Sequence, residues 1–112
     1  MNKFSVIQKI NEYLSQKDYI SARKLIRNDL KRLGSKDEYY LYSGLASIEP
    51  EERIKNYEKA IAANPQNIDA IINLANAQDE INDYDNAILN YNKAIEIDST
   101  CALAYNNRGF TY

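Results

Sequence analysis

Carboxylates and amides are the groups here with the most to offer chemically. Glu49, Glu51 and Glu52 fall within one short stretch, SIEPEER, close enough for a pair of carboxyls to share acid–base work. They also flank Pro50, a residue suited to the first turn of a helix, where its missing N–H is not needed. Acids at that place favour the helix dipole, so the cluster reads as a solvated helix opening. The chain has no His and a single Cys, Cys101. That removes the commonest general base and the usual nucleophile–His pairs, and it leaves no zinc-ligand spacing. Gly34, Gly44 and Gly109 form no phosphate-cradling loop. The expectation is a protein that is not an enzyme, with no catalytic, cofactor-binding or metal-ligating residues. The amides point to recognition instead. Asn73, Asn76, Asn106 and Asn107 each carry a donor and an acceptor, and can pair with a peptide backbone whatever its sequence.

Such side chains need elements to position them. The chain has 112 residues, one domain's worth. Glycine and proline number only three and two, which favours helix. Its aromatic residues are ten Tyr and two Phe, with no Trp. A Tyr buries its ring while keeping its hydroxyl near a polar partner, so it suits thin layers better than a thick core. One cysteine cannot form an internal disulfide. The opening MNKFSVIQKINEYLSQ lacks the continuous apolar run of a signal peptide, and no apolar stretch is long enough to span a membrane. A cytoplasmic protein is expected. Charge is uneven along the chain. Residues 1–36 hold nine Lys/Arg against three Asp/Glu, for +6, and the remainder holds five against thirteen, for −8.

The chain repeats itself. RIKNYEKAIAANPQN, from Arg53, aligns with AILNYNKAIEIDSTC, from Ala87, at an offset of 34. Ile54, Tyr57, Ala60 and Ile61 then meet Ile88, Tyr91, Ala94 and Ile95. QKDYISA, from Gln16, aligns with INDYDNA, from Ile81, at an offset of 65, two such periods less three residues. The spacing gives repeats at 3–36, 37–67 and 68–101 and the opening of a fourth at 102–112, all in a single array over 1–112. The shortening falls near SIEPEER. Each repeat reads as two helices. In the third, Ile71, Leu74, Ala75 and Gln78 share one face, and Ala87, Ile88, Tyr91, Ala94 and Ile95 share another. The Lys17-Asp18 and Asn82-Asp83 pairs supply turn chemistry between helices, and Asn64-Pro65 ends a helix.

A period of 34 with these residues resembles the tetratricopeptide repeat, W-x₂-L-G-x₂-Y…A-x₃-F…P. The second repeat offers Tyr40, Ser43, Gly44 and Ser47, then Arg53, Tyr57, Ala60 and Pro65. The third offers Ile71, Leu74, Ala75 and Gln78, then Ala87, Tyr91 and Ser99, and the fourth opens with Tyr105, Arg108, Gly109 and Tyr112. The first repeat departs furthest, with Val6, Lys9, Ile10 and Tyr13, then Ala22 and Ile26, and Asp29 where a small residue is usual. The resemblance implies an all-α fold, a right-handed α-α superhelix or solenoid of helix-turn-helix pairs. It further implies a protein-interaction scaffold that holds a partner's peptide or helix in a concave groove lined by first helices.

Placed in that phase, the groove residues are Leu41, Tyr42, Leu45, Asp69, Ile72, Asn73, Asn76, Asn106, Asn107 and Phe110. Family members that grip the C-terminal carboxylate of heat-shock proteins use Lys, Asn, Asn, Lys and Arg in such slots. Here those slots hold Ile7, Asn11, Tyr42, Asp69 and Asn73, or, one repeat later, Leu41, Leu45, Asn73, Leu103 and Asn107. No cation is among them, so no such clamp is expected. The partner is a protein or peptide whose identity the residues do not give. An alternative is self-association through the C-terminal end, where Tyr105, Phe110 and Tyr112 lie. Nucleic-acid binding through Arg23, Lys24, Arg27, Lys31, Arg32 and Lys36 comes third, since aromatic residues do not interleave those cations; the segment reads as a solvated outer face.

Overall fold

The computed structural model describes residues 2–100. Among the described residues the secondary structure is entirely helical: α1 (Lys3–Ser15), α2 (Tyr19–Leu25), a π segment (Ile26–Leu30), α3 (Lys31–Leu33), α4 (Lys36–Leu45), α5 (Pro50–Ala63), α6 (Ile68–Glu80) and α7 (Tyr84–Ile97). α2, the π segment and α3 run on as one rod. Antiparallel pairs follow one another along the chain: α1 packs on the α2 rod, α4 on that rod and on α5, α5 on α6, and α6 on α7. No helix is long and apolar enough to cross a membrane.

Local chemistry sets the helix ends. Asn2, Asp18 and Asn67 are N-caps whose side chains accept from the backbone N–H three residues on, at 2.8, 3.1 and 3.0 Å. Ser35 and Glu38 form a reciprocal capping box at the start of α4. Lys17 and Asn82 have φ of 58° and 64°, left-handed values at equivalent positions of repeats one and three. In both turns the following Asp donates its N–H back across the turn at 2.8 Å, Asp18 to Tyr13 O and Asp83 to Gln78 O, which satisfies a carbonyl the helix end would otherwise leave open. The second repeat lacks that turn. Its first helix, α4, has 10 residues where α1 and α6 have 13. There the Arg53 guanidinium closes the turn, donating to Ser47 O at 3.2 Å and Ile48 O at 2.7 Å.

The core is a row of thin layers. Val6, Ile10, Ala22, Ile26, Leu30 and Ala46 form the first, Leu41, Tyr57, Ala60, Ala70, Leu74 and Ala77 the second, and Ile71, Ile72, Ala75, Ala87, Tyr91 and Ala94 the third. The first two layers draw on helices of neighbouring repeats, and the third, built by α6 and α7, has Ile61 of α5 packed against it, as expected of a stack in which each repeat leans on the next. The alanines let backbones approach and the tyrosines fill the gaps between helices. Asp29, the odd residue of the first repeat, is explained by the π segment. The Lys31 N–H reaches back to Ile26 O, so the rod takes in one residue more than an α-helix would. That extra residue turns Leu30 inward, fully buried, into the place Ala60 and Ala94 hold in later repeats, and lets Asp29 sit partly exposed beside Arg32.

Candidate interaction surface

The first helices α1, α4 and α6 bring their inner faces side by side. On α1, Phe4, Ile7, Gln8 and Asn11 line a depression of about 490 Å³ together with Glu12 and Ser15, and Phe4 is 76% exposed. On α4, Tyr42 and Leu45 are half-buried. Burial pushes the Tyr42 hydroxyl above the usual tyrosine range; the Asn11 amide beside it works the other way, and the Asp69 and Glu38 carboxylates add to the rise. One hydroxyl therefore senses residues of α1, α4 and α6. At the rim, Lys3 reaches Glu38 at 3.2 Å, tying α1 to α4. Asp37, next to it, accepts from the Asn64 and Asn67 amides at 3.1 and 2.9 Å, tying α4 to the turn before α6. The Ser35 hydroxyl heads the bonds that hold the Asp37 carboxyl below its ordinary range, with the two amides adding to it.

Not every expected groove residue faces outward. Tyr42, Leu45, Asp69 and Asn73 keep exposed surface. Leu41 and Ile72 do not: they are 7% and 3% exposed and belong to the second and third core layers. Helical phase alone put them on the inner face, but side chains of neighbouring helices close over them. The amides are also less free than their positions suggest. Asn73 Nδ2 donates to Asp69 O of its own helix at 2.7 Å. Asn76 Oδ1 accepts the hydroxyl of Tyr91, a side chain that is almost completely buried, so Asn76 holds α6 to α7. Asn106, Asn107 and Phe110, with Tyr105 and Tyr112, lie outside the described residues.

Sequence reasoning missed two polar features. Gln78 and Asn90 are each 9% exposed, and Asn90 Nδ2 donates to Gln78 Oε1 at 2.7 Å, a buried amide pair between α6 and α7. Arg53, besides closing its own turn, reaches Glu80 on α6 at 2.6 Å. The signal for Arg53 was its place: repeats one and three carry Ala22 and Ala87 there. The Glu49, Glu51 and Glu52 group opens α5, with Pro50 in its first turn. Among the described residues no three His, Cys, Asp or Glu gather where they could hold a metal ion.

Family profiles match the second half of the chain. One, described as TPR repeat, covers residues 80–112, and another, described as tetratricopeptide repeat, covers 56–88. The chain belongs to the tetratricopeptide repeat family. Solved structures agree on the fold. The TPR domain of OM64 from Arabidopsis superposes with a TM-score of 0.81 at 18% identity, over 97% of this chain and 93% of that one. Two structures of MamA superpose with TM-scores of 0.81 and 0.80, both at 24% identity and over 99% of this chain. This chain spans 67% and 62% of their lengths. No curated protein matches the sequence. Proteins built of tetratricopeptide repeats are in general interaction scaffolds without chemistry of their own.

Proposed function

We propose that this protein is a non-catalytic scaffold that holds a segment of a partner protein on the inner face of α1, α4 and α6. The observation that supports this most is the convergence on Tyr42, where Asn11, Glu38 and Asp69 from three helices act on one hydroxyl. Around it the surface runs from apolar groups at Phe4 and Ile7 to carboxylate and amide at Asp69 and Asn73. Exposed apolar side chains in a concave surface suit capture of a side chain from another protein, and the carboxylate favours a cation or a backbone N–H beside it.

The test uses two residues whose side chains the fold does not need. Phe4 and Asp69 are exposed, so a Phe4→Ala, Asp69→Asn double variant keeps its helicity by circular dichroism. Captured proteins from a lysate, compared between wild type and variant by mass spectrometry, are expected to include at least one that wild type retains and the variant loses by about tenfold or more, as loss of an apolar anchor and a charged contact would give. Identical capture by both proteins counts against the inner face.

A further inference from the structure

Equivalent positions of successive repeats do the same work, and the first repeat does it with different residues. Between repeats one and two, Arg23, Ile26 and Arg27 face Tyr39, Ser43, Ser47, Glu52 and Asn56 across a shared cavity. A second helix thus sits on the front of the next repeat. Moved back by the repeat offsets, 34 for first helices and 31 for second helices, Ser43, Ser47, Glu52 and Asn56 become Lys9, Tyr13, Ser21 and Leu25. Those four residues line a cavity of about 300 Å³ on the front of the first repeat, beside Lys24 and Asp29. Moved forward instead, by 31 for first helices and 34 for second helices, they become Leu74, Gln78, Asn86 and Asn90. There Leu74, Gln78 and Asn90 are buried, Leu74 in one layer with Tyr57 and Ala60 of the preceding repeat, whereas none of the four is buried in the first. The front of the first repeat therefore has the form of a helix seat.

Its charge is opposite to that of the internal seat. Inside, Glu52 lies across from two arginines. On the front, serine replaces that glutamate, Lys9 replaces Ser43, and Lys24 stands beside them. Lys9 lies 5.2 Å above the Tyr13 ring and 3.4 Å from Glu12, and Asp29 is matched by Arg32 at 3.6 Å. Among the described residues Lys24 has no carboxylate partner. Tyr13 and Leu25 make an apolar floor and the lysines a cationic rim. We infer that the front of the first repeat is a second docking surface, which receives an amphipathic helix of a partner protein carrying a small or apolar stripe between carboxylates. The α2 helix of another copy is a poor occupant, because it is already seated on its own second repeat and would bring Arg23 and Arg27 to that rim.

The internal interface supplies the probe. A stapled helical peptide with the sequence of residues 19–33 and Glu at positions 23 and 27 keeps the docking stripe of α2 and reverses its charge; the unsubstituted peptide is the control. Each is titrated into the ¹⁵N-labelled full chain, at about 50 mM salt to limit screening. The glutamate peptide is expected to shift Lys9, Tyr13, Ser21 and Leu25 saturably and to bind at least about fivefold tighter than the arginine peptide, the scale of one or two surface charge pairs. A Lys9→Glu, Lys24→Glu variant is expected to cancel that preference with Phe4 and Asp69 resonances unchanged. Three results would overturn the inference: no saturable shift at these four residues by about 1 mM peptide, equal binding of both peptides, or a stronger response to a single-stranded RNA oligonucleotide. A mass by light scattering that doubles with protein concentration as the same resonances shift would also overturn it, in favour of a second copy.

Discussion

Gly44 shows how tightly single residues govern the stack. It is buried in the last turn of α4, and inside a helix glycine ordinarily costs up to about 1 kcal/mol relative to alanine. A methyl group there would lie 2.5 and 2.7 Å from carbons of the Tyr57 ring. That ring is 3% exposed, and its burial pushes the hydroxyl up to about 12, so it has no open side toward which to move. The steric term wins over the propensity term. Gly44→Ala is expected to destabilise the fold by about 1–3 kcal/mol, the usual cost of overpacking a core, read as a lower urea midpoint at unchanged slope. A variant as stable as wild type or more so would show that the α4–α5 contact has slack. Arg53 makes the complementary point. A large charged residue occupies an alanine position because the trimmed turn beside it leaves two carbonyls for its guanidinium to satisfy.

At the scale of elements, the helices, their phase and their pairing were legible in the sequence, since a period of 34 residues with small and large residues in fixed places leaves few alternatives. The π segment was not. Ala22, Ile26 and Leu30 are spaced as an ordinary helical stripe is, and only the comparison of repeats marks Asp29 as out of place. The inner face was legible in direction but not in depth. Leu41 and Ile72 have the right phase, yet their exposure is decided by side chains from other repeats. Asn76 reads as a groove amide until Tyr91, 15 positions on, claims its oxygen. The π segment yields a prediction of its own. Deleting Asn28 would put Leu30 three residues after Ile26, the spacing that Ala60 and Ala94 keep from Tyr57 and Tyr91, and return the rod to a regular ladder. Helicity by circular dichroism is expected to persist, with stability within about 1 kcal/mol of wild type. Deleting Asn92 from α7 instead turns Ala94 by about 100° off the core and is expected to cost several kcal/mol. Equal damage from the two deletions would mean that the π turn is needed for more than taking up a residue.

At the scale of the whole molecule, the layered core makes coupling between neighbours the quantity that matters, and opposite net charge reinforces it at the junction of repeats one and two, where the next junction has the Arg53–Glu80 pair. The first 36 residues carry +6 and the rest −8. The two parts meet where Lys3 reaches Glu38 and where Arg23 and Arg27 share a cavity with Glu52. Contacts of this exposed kind are worth about 0–1 kcal/mol each, and salt weakens them as the Debye length shortens from ~30 Å at 0.01 M to ~3 Å at 1 M. The third core layer, between α6 and α7, is apolar with one buried amide pair, and salt has little to screen there. Native-state hydrogen exchange is therefore expected to respond unevenly. Between low and about 1 M salt, the amides of α1 and α2 should lose protection by about two- to fivefold while those of α6 and α7 hold theirs or gain. The difference between the ends is the measure, because a general effect of salt on apolar burial moves both alike. A uniform change along the chain would mean that the first repeat is held by its apolar layer alone. A selective loss would mean that the repeat carrying both the inner-face depression and the front seat can be loosened by ionic strength without unfolding the rest.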